Sequence, residues 1–527
     1  MNLVVGSGPA GIACAQALLA GGSEVCLVDA GLTLEPERAA ITRRLAGEAP
    51  AAWDAASVAR LREGMDQAET TVILKRSFGS DFPYRGADEE FGLTYEGVAL
   101  RPSLARGGLS NVWGAAMLPY RAGDLAGWPV SVEELAPHYR AVLGFTGLAG
   151  QQDDLTSLFP LYHPNPTTLP FSRQAGRLWT RLEKHRGRLR RAGLHFGAAR
   201  LAVQAAPASG GRGCVRCGMC MYGCPYGFIY NSADTLADLM KNPRFRYQPG
   251  IVVRRVSESA TEAVIEGRYI GSGESWSARG ERIFLAAGVI PTTRLLLSAR
   301  GIYDRPVWIR DSQYFLFPLL APTGVPDVQQ EALHALSQIF LEIIDPKISP
   351  HTVHLQLYSY SDLIAGGIRT ALGPLGHPWL VRQLAERTII VQGYLHSDHS
   401  SRIRMVLEKG EAIDRTRLTA ELNPATPRIV ARVLRKLLGS AWRLGMAPGF
   451  SQLQLTPPGR GYHCGGSLPM RAQPGELETD TLGRPPGWRR VHAVDATVLP
   501  SIPATTITLS AMANAHRIAS AALAESL

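Results

Sequence analysis

An α/β fold is what this chain predicts: a parallel sheet assembled from separated stretches, plus a mixed α+β unit built on an antiparallel sheet. Three observations carry that expectation. The opening LVVGSGPAGIACAQALLAGGSEVCLVDAG reads as strand, glycine turn, helix and second strand, with Ala and Leu at helical spacing after the turn. Two later stretches, RIFLAAGVIPTTRLLLSA and VHAVDATVLPSIPATTITLSAMANAHRIA, again run from an apolar strand through a turn into a helix. Between 311 and 425, runs rich in β-branched and aromatic residues, HTVHLQLYSY and RTIIVQGYLH, read as strands of a separate sheet.

Composition bounds the alternatives. The 527 residues are 45% hydrophobic and 19% charged, which excludes wholesale disorder and fibrous repeats. No apolar run reaches the roughly eighteen residues of a membrane span. The richest stretch, Tyr314 to Val325, is broken by Pro318 and Pro322, so no transmembrane segment is expected. A net charge of +10 favours anionic partners or surfaces without naming one. The basic run EKHRGRLRRAG has no aromatic interleaving, so no nucleic-acid role is expected. Met1-Asn2 passes directly into Leu3-Val4-Val5 without a basic leader, which predicts a cytoplasmic protein with no export signal of its own.

The first unit is a dinucleotide-binding, Rossmann-like motif. Gly6 permits the tight turn, Gly8 lets the backbone approach a pyrophosphate, and Gly11 lets helix and strand pack closely. Asp29, ending the second strand, can accept ribose hydroxyls, and the helix N-terminus favours the anion. Further stretches have the texture of backbone laid against a large ligand. In ARGGLSNVWGA, Gly107 and Gly108 precede Ser110, Asn111 and Trp113; Ala287-Gly288 ends a buried strand; Asp495 and Ala496 follow another. A ligand that touches both ends of the chain requires a discontinuous domain, expected over 1–130, 195–310 and 440–527. The remaining 131–194 and 311–439 form the expected substrate domain, whose first helix enters through Ser131 with Glu133 and Glu134 in its first turn.

Cys214, Cys217, Cys220 and Cys224, followed by Pro225, give C-x2-C-x2-C-x3-C-P, the spacing of ferredoxin-type iron-sulfur sites. Zinc sites usually split their ligands into two separated pairs, so a cluster suits this spacing better, although zinc and disulfides stay open. No second run exists, so one cluster is expected. A four-iron (4Fe-4S) cluster on all four thiolates is favoured over a three-iron (3Fe-4S) cluster on three, and the sequence does not decide.

Together these motifs resemble the glucose-methanol-choline (GMC) flavoprotein oxidoreductases, in particular bacterial members that carry an iron-sulfur cluster beside FAD. GSGPAG with Asp29, GGLSNVWG, the Trp128-Pro129 segment, the cysteine run, LAAGVIPTTRLLLSA and VDATVLPS fall in the family's order. The resemblance implies FAD, with Gly6, Gly8, Gly11 and Asp29 at its adenosine and pyrophosphate and Gly107, Gly108 and Asp495 nearer the flavin. It also implies His463, in HCGGSLPM, as the base that takes a hydroxyl proton. Imidazole suits that role, being neutral near working pH. The chain departs from the family at ATTITL, where Ala504 occupies the position of a second His or Asn. Thr505 or Thr506 could supply a hydroxyl but not a base, and Thr506 is the candidate at both the catalytic and the flavin site.

The resulting expectation is an FAD-dependent dehydrogenase that oxidises a hydroxyl of a sugar, polyol or other alcohol. Electrons would leave singly through the cluster to an external acceptor such as a cytochrome, quinone or small redox protein. The resemblance leaves room for a small accessory subunit that carries an export signal. Ala504 keeps two alternatives open: a reductase or epimerase acting on a ketone, enone or sugar carbon, and an electron-transfer subunit without turnover. Among weaker features, HSDHS at His396 to Ser400 reads as a solvated turn more readily than as a metal site.

Overall fold

The computed structural model describes residues 1–64, 74–206 and 211–525. The strand β1 (Asn2–Val5) is buried throughout and lies at the centre of a five-stranded parallel sheet. Its order is Val491–Ala493, Ile283–Leu285, β1, β2 (Val25–Val28), Phe245–Gln248. Strands from positions 2, 283 and 491 therefore lie side by side, which makes this layer discontinuous in sequence. Apart from Asn2 at its start, β1 is apolar, and β2 is apolar at every position, because helices cover both faces of such a sheet.

The helix α1 (Pro9–Ala20) starts with Pro in its first turn, where the missing N–H costs nothing. It packs on the C-terminal helix Thr508–Ala524, and the contact is made of small residues. Ala10, Ala13 and Ala17 on one helix and Ala515, Ala519 and Ala522 on the other are all buried. The two ends of the chain are thereby joined through one close helix pair.

The antiparallel sheet has the order Ala447–Pro448, Tyr314–Leu320, Thr388–Tyr394, Val353–Tyr358, Ile339–Ile343, Leu194–Ala198, and Gln454–Leu455 also pairs with Tyr314–Leu320. Strict alternation sorts its side chains. Phe315, Phe317, Ile389, Val391, Leu355 and Leu357 face the helices Arg173–Arg191 and Thr426–Gly439 and form one buried core. Tyr314, Leu316, Pro318 and Leu320 point the other way and line a large cavity. Ile429, Val433 and Leu437 are buried here, so the basic amphipathic helix that carries them packs on the sheet rather than standing free.

The edge strands at 194–198 and 447–455 belong to this sheet, although the sequence placed 195–198 and 447–455 with the first domain. LHFGA is too short to show a pattern, and its pairing with Ile339–Ile343 arises from register, not local propensity. Ser131 caps the helix Val132–Thr146 in a capping box with Glu134, as its sequence predicts. A further sheet contains the strand Cys464–Gly465, paired with Pro306–Asp311, which fixes the chain immediately after His463. Among the described residues no helix is long and apolar enough to cross a membrane.

Gly393 lies in the middle of the antiparallel sheet, where an added Cβ would stand 2.2 Å from the Phe315 ring. Gly393→Ala is expected to destabilise the protein by about 1–3 kcal/mol through overpacking. A urea midpoint equal to that of the parent protein would contradict this packing.

Candidate active site and cysteine centre

The first glycine turn is enforced by contact. Gly6 adopts φ +103°, and a Cβ there would lie 2.4 Å from the Ala286 carbonyl oxygen; a Cβ on Gly11 would lie 1.9 Å from that of Gly6. The loop at 107–108 crosses this turn, with Gly107 N–H donating to Ser7 Oγ at 2.9 Å. Ser7 in turn donates to Asp29 Oδ2, while Tyr247 OH donates to Asp29 Oδ1 at 2.8 Å. Burial raises the Asp29 pKa, and these hydrogen bonds oppose the rise. Asp29 lines the cavity as the sequence suggests, with lone pairs left for ribose hydroxyls.

Asp495 plays a matching part at the other end. Its Oδ2 accepts from Gly288 N–H at 2.9 Å and from Thr292 Oγ1 at 2.6 Å, and its Oδ1 accepts from Thr497 N–H at 2.9 Å. Gly8, Gly108, Ser110, Trp113, Ala287, Gly288 and Ala496 line the same cavity. A Cβ on Gly288 would meet nothing within 4 Å, so the backbone there borders open space. Gly11, Gly107 and Asn111 lie behind this lining; Asn111 donates to Gly108 O at 2.7 Å and holds the loop. Thr506 lines the cavity, but its hydroxyl oxygen accepts from Leu118 N–H at 3.1 Å and is held by the backbone.

His463 is reached by the same cavity. Its ring stacks on Tyr394 with centroids 4.7 Å apart, and its Nδ1 is buried without a partner. Burial, reinforced by His354, pulls its pKa down to about 3. The imidazole is therefore neutral and has a free acceptor. Ala504 packs against Tyr314 and Tyr394, so a methyl group stands in the aromatic wall next to the base.

Sequence reading missed the rest of this wall. His354 Nδ1 donates to Glu342 Oε1 at 2.6 Å, Gln356 Nε2 donates to His354 Nε2 at 3.1 Å, and Tyr358 OH donates to Gln356 Oε1 at 2.9 Å. Glu342 and His354 have no exposed surface. The signal was present in HTVHLQLYSY, where polar His354, Gln356 and Tyr358 alternate with apolar Val353, Leu355 and Leu357. Such alternation with both faces buried means a polar inner wall.

The four cysteines converge. Cys214, Cys217, Cys220 and Cys224 line one small pocket with Leu169, Val203, Ile229 and Leu336. All are free thiols, and burial pushes Cys217 up to about 11 and Cys220 up to about 12. Phe228 N–H donates to Cys224 Sγ at 3.3 Å. Among the described residues no three of these sulfurs lie within 4.8 Å of one another. A zinc tetrahedron with Zn–S bonds of about 2.3 Å would hold them about 3.8 Å apart. Leu336 lines both this pocket and the large cavity, so a wall one side chain thick separates them.

In the HSDHS turn, His396 stacks on the distant His351 at 3.6 Å, and His351 Nε2 donates to Asp398 Oδ2 at 2.9 Å. Cys464, adjacent to His463, lies apart from the cysteine pocket and donates to Asp311 Oδ1 at 3.1 Å.

No protein-family model matches this chain. The 6'''-hydroxyparomomycin C oxidase of Streptomyces lividus is 23% identical over 327 residues, which is 57% of this chain and 50% of that protein. The chain thus spans about half the length of the curated relative it matches. Solved structures are alike over nearly the whole length. A pyridoxine 4-oxidase from Mesorbium loti has a TM-score of 0.58 at 15% identity, covering 98% of each chain. A formate oxidase reaches 0.63 at 13% identity, covering 99% of this chain and 98% of its own. A variant of the Aspergillus oryzae formate oxidase, made to follow FAD modification, reaches 0.60 at 13% identity over the same shares. These likenesses establish the fold, a mixed α/β architecture of one parallel sheet with antiparallel sheets beside it.

His463 is expected to stay neutral, with a proton on only one ring nitrogen, between about pH 5 and 8, since its pKa is lowered to about 3 from 6.5. The unfolded imidazole takes up a proton below its ordinary pKa and the folded one does not, so this residue contributes a loss of stability as the pH falls from about 6.5. Ring resonances of His463 that titrate with a midpoint near 6.5 would contradict its burial.

Proposed function

We propose that this chain is an FAD-dependent oxidoreductase that oxidises a hydroxyl group, with His463 as proton acceptor and an iron-sulfur cluster on Cys214, Cys217, Cys220 and Cys224. The observation that carries the reading is a single cavity of about 900 Å³, lined by Ser7, Gly8 and Asp29, by Gly288 and Ala496, and by His463. A dinucleotide cradle and a neutral base thus share one cavity. The fold it shares with a pyridoxine 4-oxidase and a formate oxidase supports the reading, as does the distant hydroxyparomomycin oxidase.

The glycine turn and the start of α1 would meet the pyrophosphate, where N–H groups and the helix dipole favour an anion. Asp29 would accept the ribose hydroxyls, and the backbone at Gly288 and Ala496 would border the flavin. When bound, FAD would supply the acceptor for the hydride that leaves the carbinol carbon. His463 takes the hydroxyl proton as the O–H bond breaks and the carbonyl forms. Its depressed pKa keeps the nitrogen free in the resting enzyme, and negative charge that arrives in the cavity stabilises the imidazolium as it forms. A cluster behind Leu336 would supply one-electron export, which favours a dehydrogenase over an oxygen-using oxidase. The thiols would lose their protons on binding it, since the thiolate is the ligand.

Anaerobic purification with flavin, iron and sulfide quantitation tests both cofactors. The expected result is one flavin with about three or four irons per chain. Flavin without iron after cluster reconstitution would remove the cluster from the reading. Cys220→Ser is expected to lose or alter the cluster while flavin content stays unchanged. His463→Ala is expected to slow substrate reduction of the flavin by on the order of a hundredfold or more, measured by anaerobic stopped flow. Reduction at the parent rate would reject His463 as the base.

A further inference from the structure

We infer that the substrate is an elongated amphiphilic alcohol, with its hydroxyl held at His463 and an apolar body lying along the antiparallel sheet. The inference rests on the reading of His463 as proton acceptor, and its evidence is the register of the sheet that forms the cavity wall.

The cavity face of that sheet is a set of cross-strand rows. Tyr314, Tyr394 and His354 form the first row, and Tyr394 stacks on His463. Leu316, Gln392, Gln356 and Gln454 form the second. Pro318, Ile390 and Tyr358 form the third, and Leu320 with Thr388 the fourth. Each row lies two residues further along its strands, about 6.6 Å, so the wall runs for about 20 Å from first row to last.

Polarity falls along this path. The first two rows turn Tyr314, Tyr394 and three glutamines to the cavity, with His354 fully buried beside them, and Gln454 Oε1 is buried without a partner, as is His463 Nδ1. Two acceptors therefore stand ready at one end. The outer rows have no free donor: Tyr358 spends its hydroxyl proton on Gln356, and Thr388 Oγ1 donates to Leu384 O at 2.7 Å. What remains in those rows is Pro318, Ile390 and Leu320.

The same cavity is also lined by the helix Asp362–Leu372, none of whose residues is buried. Leu363, Ile364, Gly367, Ile368, Ala371 and Leu372 form one helical face, and all six line the cavity. An apolar stripe turned into a cavity is normally covered by another element. Here an apolar guest would cover it, burying this stripe and the outer rows together.

The charges exclude the polar alternatives. Among the described residues, Asp29 and Asp495 are the only acidic ones lining the cavity, and both belong to the dinucleotide end. Among the described residues, a polycationic aminoglycoside would find no carboxylate lining the substrate space. A sugar would place hydroxyls against Ile390, Leu320 and Ile368, where they lose water without gaining a hydrogen bond.

The test is equilibrium binding of primary n-alkanols from butanol to dodecanol to the flavin-loaded protein by calorimetry, with glucose and paromomycin as polar probes. Affinity is expected to rise by about fourfold per methylene, the increment for burying one CH₂. Ile368→Glu is expected to flatten that slope for the longer alcohols and leave flavin content unchanged. Ile364→Ser serves as a milder second substitution in the same wall. Affinity independent of chain length, or tighter binding of glucose or paromomycin than of dodecanol, overturns the inference. Flavin bleaching recorded on the same samples separates the two readings. Alkanols that bind with the expected slope and leave the flavin oxidised uphold the apolar site and count against hydroxyl oxidation. Bleaching by sugars alone, with no alkanol bound, upholds oxidation and overturns the apolar site.

Discussion

A buried carboxylate must be hydrogen-bonded, and two such groups organise this molecule. Asp29 gathers Ser7, Tyr247 and, through Ser7, the backbone of Gly107, which lie far apart in sequence. Asp495 gathers Gly288, Thr292 and Thr497 in the same way. Each ends a strand of the parallel sheet or follows one directly, where βα turns leave N–H and O–H donors unclaimed. Satisfying the two acids brings residues near 7, 107, 288 and 495 to a common cavity, and the shape of the dinucleotide cradle follows from that.

The antiparallel sheet contributes a different property, a gradient. One face carries a continuous apolar core against two helices, and the other faces the cavity. Alternation allows the two faces to be composed independently, so polar residues can accumulate near His463 without weakening the core behind them. The Glu342–His354–Gln356–Tyr358 chain illustrates the cost and its remedy. Four buried polar side chains are tolerable because Tyr358 donates to Gln356, Gln356 to His354 and His354 to Glu342, and Gln356 and Tyr358 reach the cavity.

The cysteine pocket sits where its position matters most for chemistry. Leu336 is shared between its wall and that of the large cavity, so the two proposed redox centres would be neighbours without open solvent between them. Burial raises the pKa values of Cys217 and Cys220, so without a partner these sulfurs remain thiols. Ala504 fits the same picture of a wall chosen for shape. Its methyl packs on Tyr314 and Tyr394, leaving His463 as the imidazole stacked against Tyr394.

The sequence alone determined the features whose physics is local. Gly6, Gly8 and Gly11 at fixed offsets specify a turn into which no side chain fits at Gly6 or Gly11, and apolar runs at 3–5 and 25–28 specify strands covered on both faces. The spacing of the four cysteines specifies convergence because three short loops cannot carry the sulfurs far apart. Tertiary structure decided what depends on register and on partners distant in the chain. The edge strand 194–198, the pairing of Glu342 with His354, the contact of Tyr394 with His463 and the shared wall at Leu336 leave no local trace. Each arises from which strand lies beside which, and a shift of one residue would turn every one of those side chains to the opposite face.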